Sequence, residues 1–218
     1  MTGLSILQIL IAFSCVLAIV YVAAYHHRET GLIRSLSKIA PMIMLIIVSL
    51  MAPLPLTIIA ALAACTAGDW FLSLEGEGNF QAGLGAFLAG HLFYIAYFTG
   101  HIDPASVITR DAGLLAIILL ALVAMVLLRL WQFLKEMKIP VAVYALVISL
   151  MAFTAKLSNP DSLVLAGIAL FMISDITLAN DKFTPLTNTP ARKAMPFLVM
   201  ITYYAGQILI VYGLLQAA

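Results

Sequence analysis

Long apolar segments separated by short polar stretches dominate the chain. A helix of about 20 apolar residues crosses the hydrocarbon core of a membrane, and eight segments are long enough to do so. They are residues 4–25, 32–51, 54–73, 80–99, 112–133, 139–157, 161–180 and 194–216. We therefore predict an all-α, polytopic membrane protein: a bundle of eight transmembrane helices forming one domain over residues 1–218.

The boundaries of these segments carry their own signals. The first segment is predicted to be a spanning helix and not a cleaved signal, because it lacks a basic start and exceeds a signal-peptide core of about 7–15 residues. Proline, glycine and asparagine mark the breaks at 52–55, 75–79 and 159–161. Asp161 is a predicted N-cap, and residues 184–190 form the longest predicted loop.

Composition excludes a soluble globular domain. Of the 218 residues, 64% are hydrophobic and only 10% are charged, whereas soluble domains have about 25% charged residues. The net charge of +1 indicates no basic face for nucleic acid. Cys15 and Cys65 lie in apolar segments and provide neither a disulfide framework nor metal-ligand spacing. The sequence does not specify an oligomeric state.

Lysine and arginine are concentrated on one side of the predicted bundle. The opposite side has only Arg110 and Lys156. Cytoplasmic loops are enriched in positive residues, so we predict that the loops after the first, third, fifth and seventh segments face the cytoplasm and that both termini lie outside it. The short loops favour a bacterial inner membrane. The basic residues on the predicted cytoplasmic side are Arg28, Arg34, Lys38, Arg129, Lys135, Lys138, Lys182, Arg192 and Lys193.

Two similar pentapeptides indicate an internal repeat. Residues 48–52 precede the third segment and residues 148–152 precede the seventh, with nearly the same sequence. Segments four helices apart run in the same direction across the membrane. The pattern therefore predicts a four-plus-four parallel repeat, an arrangement that some membrane proteins adopt.

Two aspartates interrupt segments that are otherwise apolar. A carboxyl group at the centre of a membrane helix costs about 2.5–3.5 kcal/mol, so we expect Asp69 and Asp175 to be functional. Each lies 14–15 residues from the outer end of its segment, or about 20 Å at 1.5 Å per residue. The two side chains are therefore predicted to share a depth in the cytoplasmic half of the membrane.

Other polar residues are predicted near this depth, and each has a structural alternative. His91 could be a core histidine with its hydrogen bonds satisfied, Lys38 could extend to the membrane surface, and the tyrosines could lie at the interface. The residues of this set are Lys38, His91, Tyr144, Tyr203, Tyr204 and Gln207. By contrast, His26, His27, Arg28, His101 and Asp103 are predicted in solvated loops, and residues 180–182 at a helix terminus.

Five short motifs in order along the chain resemble the YhhN family of membrane lysoplasmalogenases. They are residues 38–42, 68–72 and 87–94, Ser174-Asp175 with Leu178-Ala179, and residues 203–207. The resemblance spans about residues 35–212 and includes the eight-helix layout. It implies hydrolysis of the vinyl ether bond of a lysophospholipid, a lysoplasmalogen, to a fatty aldehyde and glycerophosphoethanolamine or glycerophosphocholine. No cofactor or metal is expected.

Vinyl ether cleavage needs a proton donor and a negative group beside the resulting cation. Protonation of the carbon β to oxygen gives an oxocarbenium ion, to which water adds, as in glycoside hydrolysis. Burial and a neighbouring carboxylate both favour a protonated carboxyl group. We predict Asp175 as the acid and Asp69 as the group that stabilises the cation or acts as the base that orients water, with His91 sharing the proton or holding one of the two aspartates.

The remaining polar residues are assigned to substrate binding. Lys38 is predicted to bind the phosphate group. The residues predicted to contact water, the glycerol hydroxyl or other parts of the substrate are Tyr144, Tyr203, Tyr204 and Gln207.

Three other functions use the same residues. A proton-coupled membrane transporter also needs intramembrane carboxyl, histidine and lysine groups. A metal-dependent lipid hydrolase could use Asp69, His91 and Asp175 as three ligands that leave a position for water. A non-catalytic lipid-binding protein would bind lysolipid without forming product.

Overall fold

The computed structural model describes residues 6–26, 29–102, 104–107, 109–185 and 189–217, which form helices and no strand. Eight long helices match the eight predicted segments. They are α1 (Ile6–Val20, continued by a π-helical turn Tyr21–Tyr25), α2 (Leu32–Met51), α3 (Leu56–Leu72), α4 (Glu77–Thr99), α5 (Arg110–Leu130), α6 (Lys138–Leu157), α7 (Ser162–Phe183) and α8 (Pro190–Ala217). A short helix Pro104–Val107 precedes α5, and a 3-10 turn Lys135–Met137 precedes α6.

Seven of these helices are long and apolar enough to span a membrane, and α3, with 17 residues, is shorter. It begins two residues later than predicted because Pro55 occupies its N-cap position, where proline is tolerated near a helix start. A helix of 17 residues is about 26 Å long, at the lower limit for a membrane span. Asp161 caps α7 as predicted, with its carboxylate 2.7 Å from the backbone nitrogen of Leu163.

The loops after α1, α3 and α7 lie on one face of the bundle, which we call the odd-loop face. Thr30 Oγ1 donates to Glu75 Oε1 at 2.9 Å, and Lys182 Nζ lies 3.2 Å from Glu77 Oε2. These contacts agree with the predicted common side of the three loops. That the odd-loop face adjoins the cytoplasm stays a prediction.

Close packing of α7 with α8 and of α3 with α4 provides the most extensive contacts between helices. A Cβ atom on Gly167 of α7 would lie only 2.6 Å from the backbone oxygen of Gly206 in α8. Similarly, a Cβ on Gly90 would lie 2.7 Å from Cys65 Sγ. Small residues allow membrane helices to approach closely, so glycine is required at these crossings.

The middle helices of the two halves of the bundle correspond in their spacing along the chain. The starts of α2 and α6 are 106 residues apart, as are the starts of α3 and α7. The most extensive contacts, α3–α4 and α7–α8, are equivalent under this correspondence. The similar pentapeptides at 48–52 and 148–152 are 100 residues apart, so they do not occupy equivalent positions. Helix starts therefore define the repeat better than the pentapeptides do.

The bundle has apolar side chains outside and several polar groups inside. Leu56 and Leu128 are about four-fifths exposed (79% and 80%), as expected for residues that face lipid. In contrast, His91 and Gln207 are completely buried, and Asp69 is 2% exposed. Buried polar groups need partners, so their contacts show how the interior is organised.

Candidate functional site

Asp69 and Asp175 line the same cavity, which has a volume of about 330 Å³. Each lies thirteen residues beyond the first residue of its helix, Leu56 in α3 or Ser162 in α7. At 1.5 Å per residue, both are about 20 Å along their helices, which agrees with the predicted common depth, and their position relative to the membrane stays a prediction. The cavity wall also includes Lys182, whose ion pair with Glu77 joins α7 to α4 near the odd-loop face.

Asp69 is enclosed by a cation and a hydroxyl group. Lys38 Nζ lies 3.6 Å from its Oδ1, and Tyr203 donates a hydrogen bond of 2.6 Å to its Oδ2. Both carboxylate oxygens therefore have a partner. An adjacent cation and a hydrogen-bond donor each favour the charged form of a carboxyl group, so this environment suits a carboxylate.

Asp175 has no lysine or arginine among its ion-pair partners in the part of the chain that the structure describes. Tyr144 donates a hydrogen bond of 2.8 Å to its Oδ2, and His91 Nε2 lies 3.3 Å from the same oxygen. Both contacts fall on Oδ2, and the side chain remains 10% exposed. This environment leaves Oδ1 for other contacts.

The hydrogen bond on the far side of His91 determines its tautomer. His91 Nδ1 lies 2.6 Å from the backbone oxygen of Phe87, and a carbonyl oxygen only accepts hydrogen bonds, so Nδ1 carries a proton. In a neutral imidazole the other nitrogen is then an acceptor. Nε2 is buried and makes no directed hydrogen bond within the described residues. Without a proton between them, Nε2 and Asp175 Oδ2 would both be acceptors and would repel each other. Their contact therefore requires one proton, carried by either His91 or Asp175.

The correspondence between the halves extends to the partners of the two acids. Lys38 of α2 precedes Asp69 by the same 31 residues that separate Tyr144 of α6 from Asp175. The second partner of each acid comes from the last helix of the opposite half, Tyr203 of α8 for Asp69 and His91 of α4 for Asp175. Equivalent helices therefore supply chemically different partners.

Two residues predicted to bind substrate lie away from the cavity wall. The Tyr204 hydroxyl donates to the backbone oxygen of Lys38 at 2.7 Å. The Gln207 carboxamide accepts a 2.6 Å hydrogen bond from Tyr94, and its nitrogen lies 3.6 Å from Cys65 Sγ. A hydrogen bond from the Tyr204 hydroxyl or the Gln207 carboxamide to substrate would compete with these bonds. Tyr203 does line the cavity, whereas Tyr144 reaches Asp175 from an adjoining crevice.

Several cavity residues were not predicted as site residues. His26, predicted in a solvated loop, lies half-buried in the cavity wall, 5.0 Å from Phe197 between ring centroids. The π-helical turn that continues α1 carries it there, and the apolar pattern gives no sign of such a turn. Arg34 also lines the cavity. Its four-residue spacing from Lys38 places both on one face of α2, a signal that the sequence does contain.

Other predicted loop residues have different outcomes. His101 is exposed, as predicted, and lies 4.5 Å from Tyr97 between ring centroids. His27, Arg28 and Asp103 lie outside the described residues. The predicted terminus at 180–182 is close to the observed end of α7 at Phe183.

The three-ligand metal site considered from the sequence is not assembled. No group of three or more His, Cys, Asp or Glu residues is placed to hold a metal ion within the ranges that the structure describes. Asp69 instead pairs with Lys38, which puts an ammonium group beside its carboxylate. The side chains of the cavity are therefore considered below as proton donors, acceptors and charges.

Comparison with known proteins identifies one family. The family model of YhhN matches residues 33–214, a range that includes all of α3 to α7 and both aspartates. No curated protein and no solved structure matches the chain. The matched range covers well over half of the sequence and includes the cavity residues Arg34 to Tyr203, so this integral membrane protein belongs to the YhhN family.

Proposed function

We propose that the protein hydrolyses the vinyl ether bond of lysoplasmalogens. The observation that carries the proposal is the pair of aspartates in one cavity, one beside a lysine and the other beside a histidine. Protonation of a vinyl ether creates a positive charge, so the reaction needs both an acid and a negative group. Asp175 and Asp69 supply these two groups, and membership of the YhhN family supports the same reaction.

In the first step, Asp175 donates a proton to the vinyl carbon β to the ether oxygen. The proton is the one shared between Oδ2 and His91 Nε2, and rotation of the carboxyl group about its Cβ–Cγ bond turns the protonated oxygen toward the substrate. The carbon–carbon π electrons form the new C–H bond, and the carbon attached to oxygen becomes an oxocarbenium ion. The carboxylate of Asp69, which is 2% exposed, stabilises this cation, because opposite charges attract more strongly in a buried site of low dielectric constant than in water.

In the second step, water adds to the oxocarbenium carbon and loses a proton to the Asp175–His91 pair. This transfer restores the starting protonation state and gives a hemiacetal. The hemiacetal then collapses as the carbon–oxygen bond to glycerol breaks and its hydroxyl proton passes to the leaving oxygen. One water molecule is consumed, and the products are a fatty aldehyde and a glycerophospho compound.

The surroundings of Asp175 suit a lipid with a polar end and an apolar chain. Two crevices with mainly apolar walls also reach Asp175, one among α5, α6 and α7 and the other among α3, α4, α6 and α7. Leu122 and Met172 line the first, and Phe80 and Leu84 line the second. The proposed substrate places its hydrocarbon chain in such a crevice and its headgroup in the larger, more polar cavity.

The test is hydrolysis in ¹⁸O-labelled water by purified protein in lipid nanodiscs. We expect fatty aldehyde from a 1-alkenyl lysophospholipid and none from the saturated 1-alkyl analogue, which cannot form an oxocarbenium ion by protonation. The glycerophospho product should contain no ¹⁸O, because water attacks the vinyl carbon and not the glycerol carbon. Label in that product, or the absence of aldehyde from folded protein that binds the lipid, would contradict the proposal.

A proton-coupled transporter remains the alternative of a different class, and proteoliposomes distinguish it. Transporters of that kind commonly bind solute where helices are interrupted, whereas α3 and α7 are continuous through Asp69 and Asp175. We expect no solute-dependent proton flux in proteoliposomes that cleave the lipid. Flux without lipid turnover would favour transport.

A further inference from the structure

Among the residues that the structure describes, the lysine and aspartate side chains of the cavity wall are in ion pairs, and Arg34 is not. Arg34 has no carboxylate within 4.0 Å among the described residues, although it is an arginine in the cavity wall. The wall therefore contains a positive charge that forms no ion pair with any acid in the described part of the chain. The lysine and aspartate residues of the wall make the pairs Lys38–Asp69, Asp175–His91, Lys182–Glu77 and Asp181–Arg192.

The contacts of Arg34 leave donors unused. Its Nη1 donates to the backbone oxygen of Ser73 at 3.3 Å, which is long for a hydrogen bond to a guanidinium, and the group also approaches the Tyr21 hydroxyl. Its Nε is buried and has no hydrogen-bond partner within the described part of the chain. A guanidinium has five N–H donors and no acceptor. The unmet requirement at this position is thus for a hydrogen-bond-accepting anion.

We propose that Arg34 binds the phosphate group of the lysophospholipid, an inference that rests on the proposed function of the cavity. The planar fork of arginine donates two parallel hydrogen bonds to phosphate oxygens. Lys38, predicted from the sequence to bind phosphate, already pairs with Asp69, so its charge is used inside the acid site. Of the arginine and lysine residues described in the cavity wall, Arg34 is the one without an ion-pair partner, and it can bind the headgroup.

The position of Arg34 relative to the acids agrees with the layout of the substrate. Arg34 and Lys38 are four residues apart on α2, which is about 6 Å along the helix, and Lys38 contacts Asp69. This separation is comparable with the length of a glycerol backbone. A phosphate held by Arg34 therefore places the ether oxygen at the other end of the glycerol near the two aspartates.

A binding experiment with lipids that cannot be cleaved tests the site directly. The ligands are a saturated 1-alkyl lysophospholipid, the matching 1-alkylglycerol without phosphate, and inorganic phosphate. Each is titrated into the wild-type protein, Arg34→Gln and Arg34→Lys in nanodiscs. Arg110→Gln is the matched control, since Arg110 is exposed at the start of α5 and is not part of the cavity wall.

We expect Arg34→Gln to weaken binding of the lysophospholipid about 10- to 100-fold, the usual effect of losing hydrogen bonds to a charged group. Affinity for 1-alkylglycerol should not change, Arg34→Lys should give an intermediate loss, and Arg110→Gln should resemble the wild type. Equal losses for both lipids, or none for the lysophospholipid, would overturn the proposal. Arg34-dependent binding of inorganic phosphate alone, without lysophospholipid binding, would assign the site to free phosphate instead.

The kinetic form of the test separates phosphate binding from chemistry. With a 1-alkenyl lysophospholipid, Arg34→Gln should raise KM and leave kcat within about threefold, because the phosphate contact is the same in the ground and transition states. If Arg34→Gln does not fold, Arg34→Lys keeps the charge without the fork and carries the same comparison. Uncleavable ligands are used for binding, so a protein that forms no aldehyde would refute the proposed reaction while still giving a result for Arg34.

Discussion

Asp69 in the first half of the molecule and Asp175 in the second occupy equivalent positions but differ in the charge beside them. Lys38 and Tyr144 stand at the same place in the two halves, each 31 residues before its aspartate. Lys38 brings an ammonium group to within 3.6 Å of Asp69, whereas Tyr144 brings a neutral hydroxyl to within 2.8 Å of Asp175. This difference in residue type is one of the two that distinguish the site suited to a carboxylate from the site suited to a proton.

The comparison shows how a repeated architecture can give an asymmetric site. The repeat sets two acids at one depth and supplies two partners to each from corresponding helices. Charge and tautomer then differ, since His91 presents an acceptor nitrogen to Asp175 while Tyr203 donates to Asp69. The two halves place their aspartates at equivalent positions. The different partners then make Asp175 the proposed acid and Asp69 the proposed stabilising group.

The largest effect is expected from Asp175→Asn. A carboxamide cannot give up a proton to carbon, and general acid catalysis contributes about 10²- to 10⁴-fold, so aldehyde release should fall by that factor. Asp161→Asn on the same helix is the matched control, because asparagine also serves as an N-cap. Near-normal turnover by a folded Asp175→Asn protein would remove Asp175 from the role of acid.

Asp69→Asn should lower turnover by a smaller factor, about 10²- to 10³-fold, the usual cost of losing one group that stabilises a developing charge. The substitution also leaves Lys38 buried without its carboxylate, which lowers stability. The double variant Asp69→Asn with Lys38→Met should recover thermal stability in detergent without recovering aldehyde release. Recovery of activity in the double variant would contradict the role of Asp69 as the negative group.

The equivalent partners should differ in their contribution to stability. Lys38→Met leaves Asp69 as a buried charge without its cation, which costs about 3–5 kcal/mol. Tyr144→Phe removes one hydrogen bond from Asp175, which costs about 0.5–1.5 kcal/mol. Unfolding measured by denaturant titration in detergent compares the two variants with the wild type. Equal destabilisation by the two substitutions would contradict the view that a charged partner stabilises Asp69 and a neutral partner stabilises Asp175.

The residues immediately before the aspartates give the smallest expected effects. A Cβ on Gly68 would lie 2.6 Å from the ring of Phe87, so Gly68→Ala should cost about 1–3 kcal/mol through overpacking. Ser174 donates a 2.9 Å hydrogen bond to the backbone oxygen of Val199, and Ser174→Ala should cost about 1 kcal/mol.

Enzyme activity should distinguish Gly68→Ala from Ser174→Ala more clearly than stability does. The backbone oxygen of Phe87 holds His91 Nδ1, so a shift of Phe87 in Gly68→Ala should disturb the proton shared with Asp175. Ser174→Ala should leave turnover nearly unchanged. Aldehyde release per folded protein measures the difference. An unchanged rate in a destabilised Gly68→Ala protein would show that the position of the Phe87 ring does not affect the tautomer of His91.

By itself, the sequence determined the membrane class, the eight helices and the similar distance of the two aspartates from the starts of their helices. Apolar segments of spanning length can lie in lipid only as helices, since every backbone polar group must be bonded within the segment. Residue counts along a helix convert directly into depth. These features depend on spacing along the chain, and the observed helices differ from the predicted segments by only a few residues at their ends.

The partners of each acid were decided by the tertiary structure alone. Whether Lys38 extends to the surface or turns inward to Asp69, and whether Tyr204 and Gln207 bond to substrate or to the protein, depends on how the helices rotate against one another. Rotation follows from close contacts such as Gly167 against Gly206, which no local pattern specifies. The unpaired charge of Arg34 appears only when every neighbouring carboxylate has been placed, because charge balance in a cavity is a property of all its walls together.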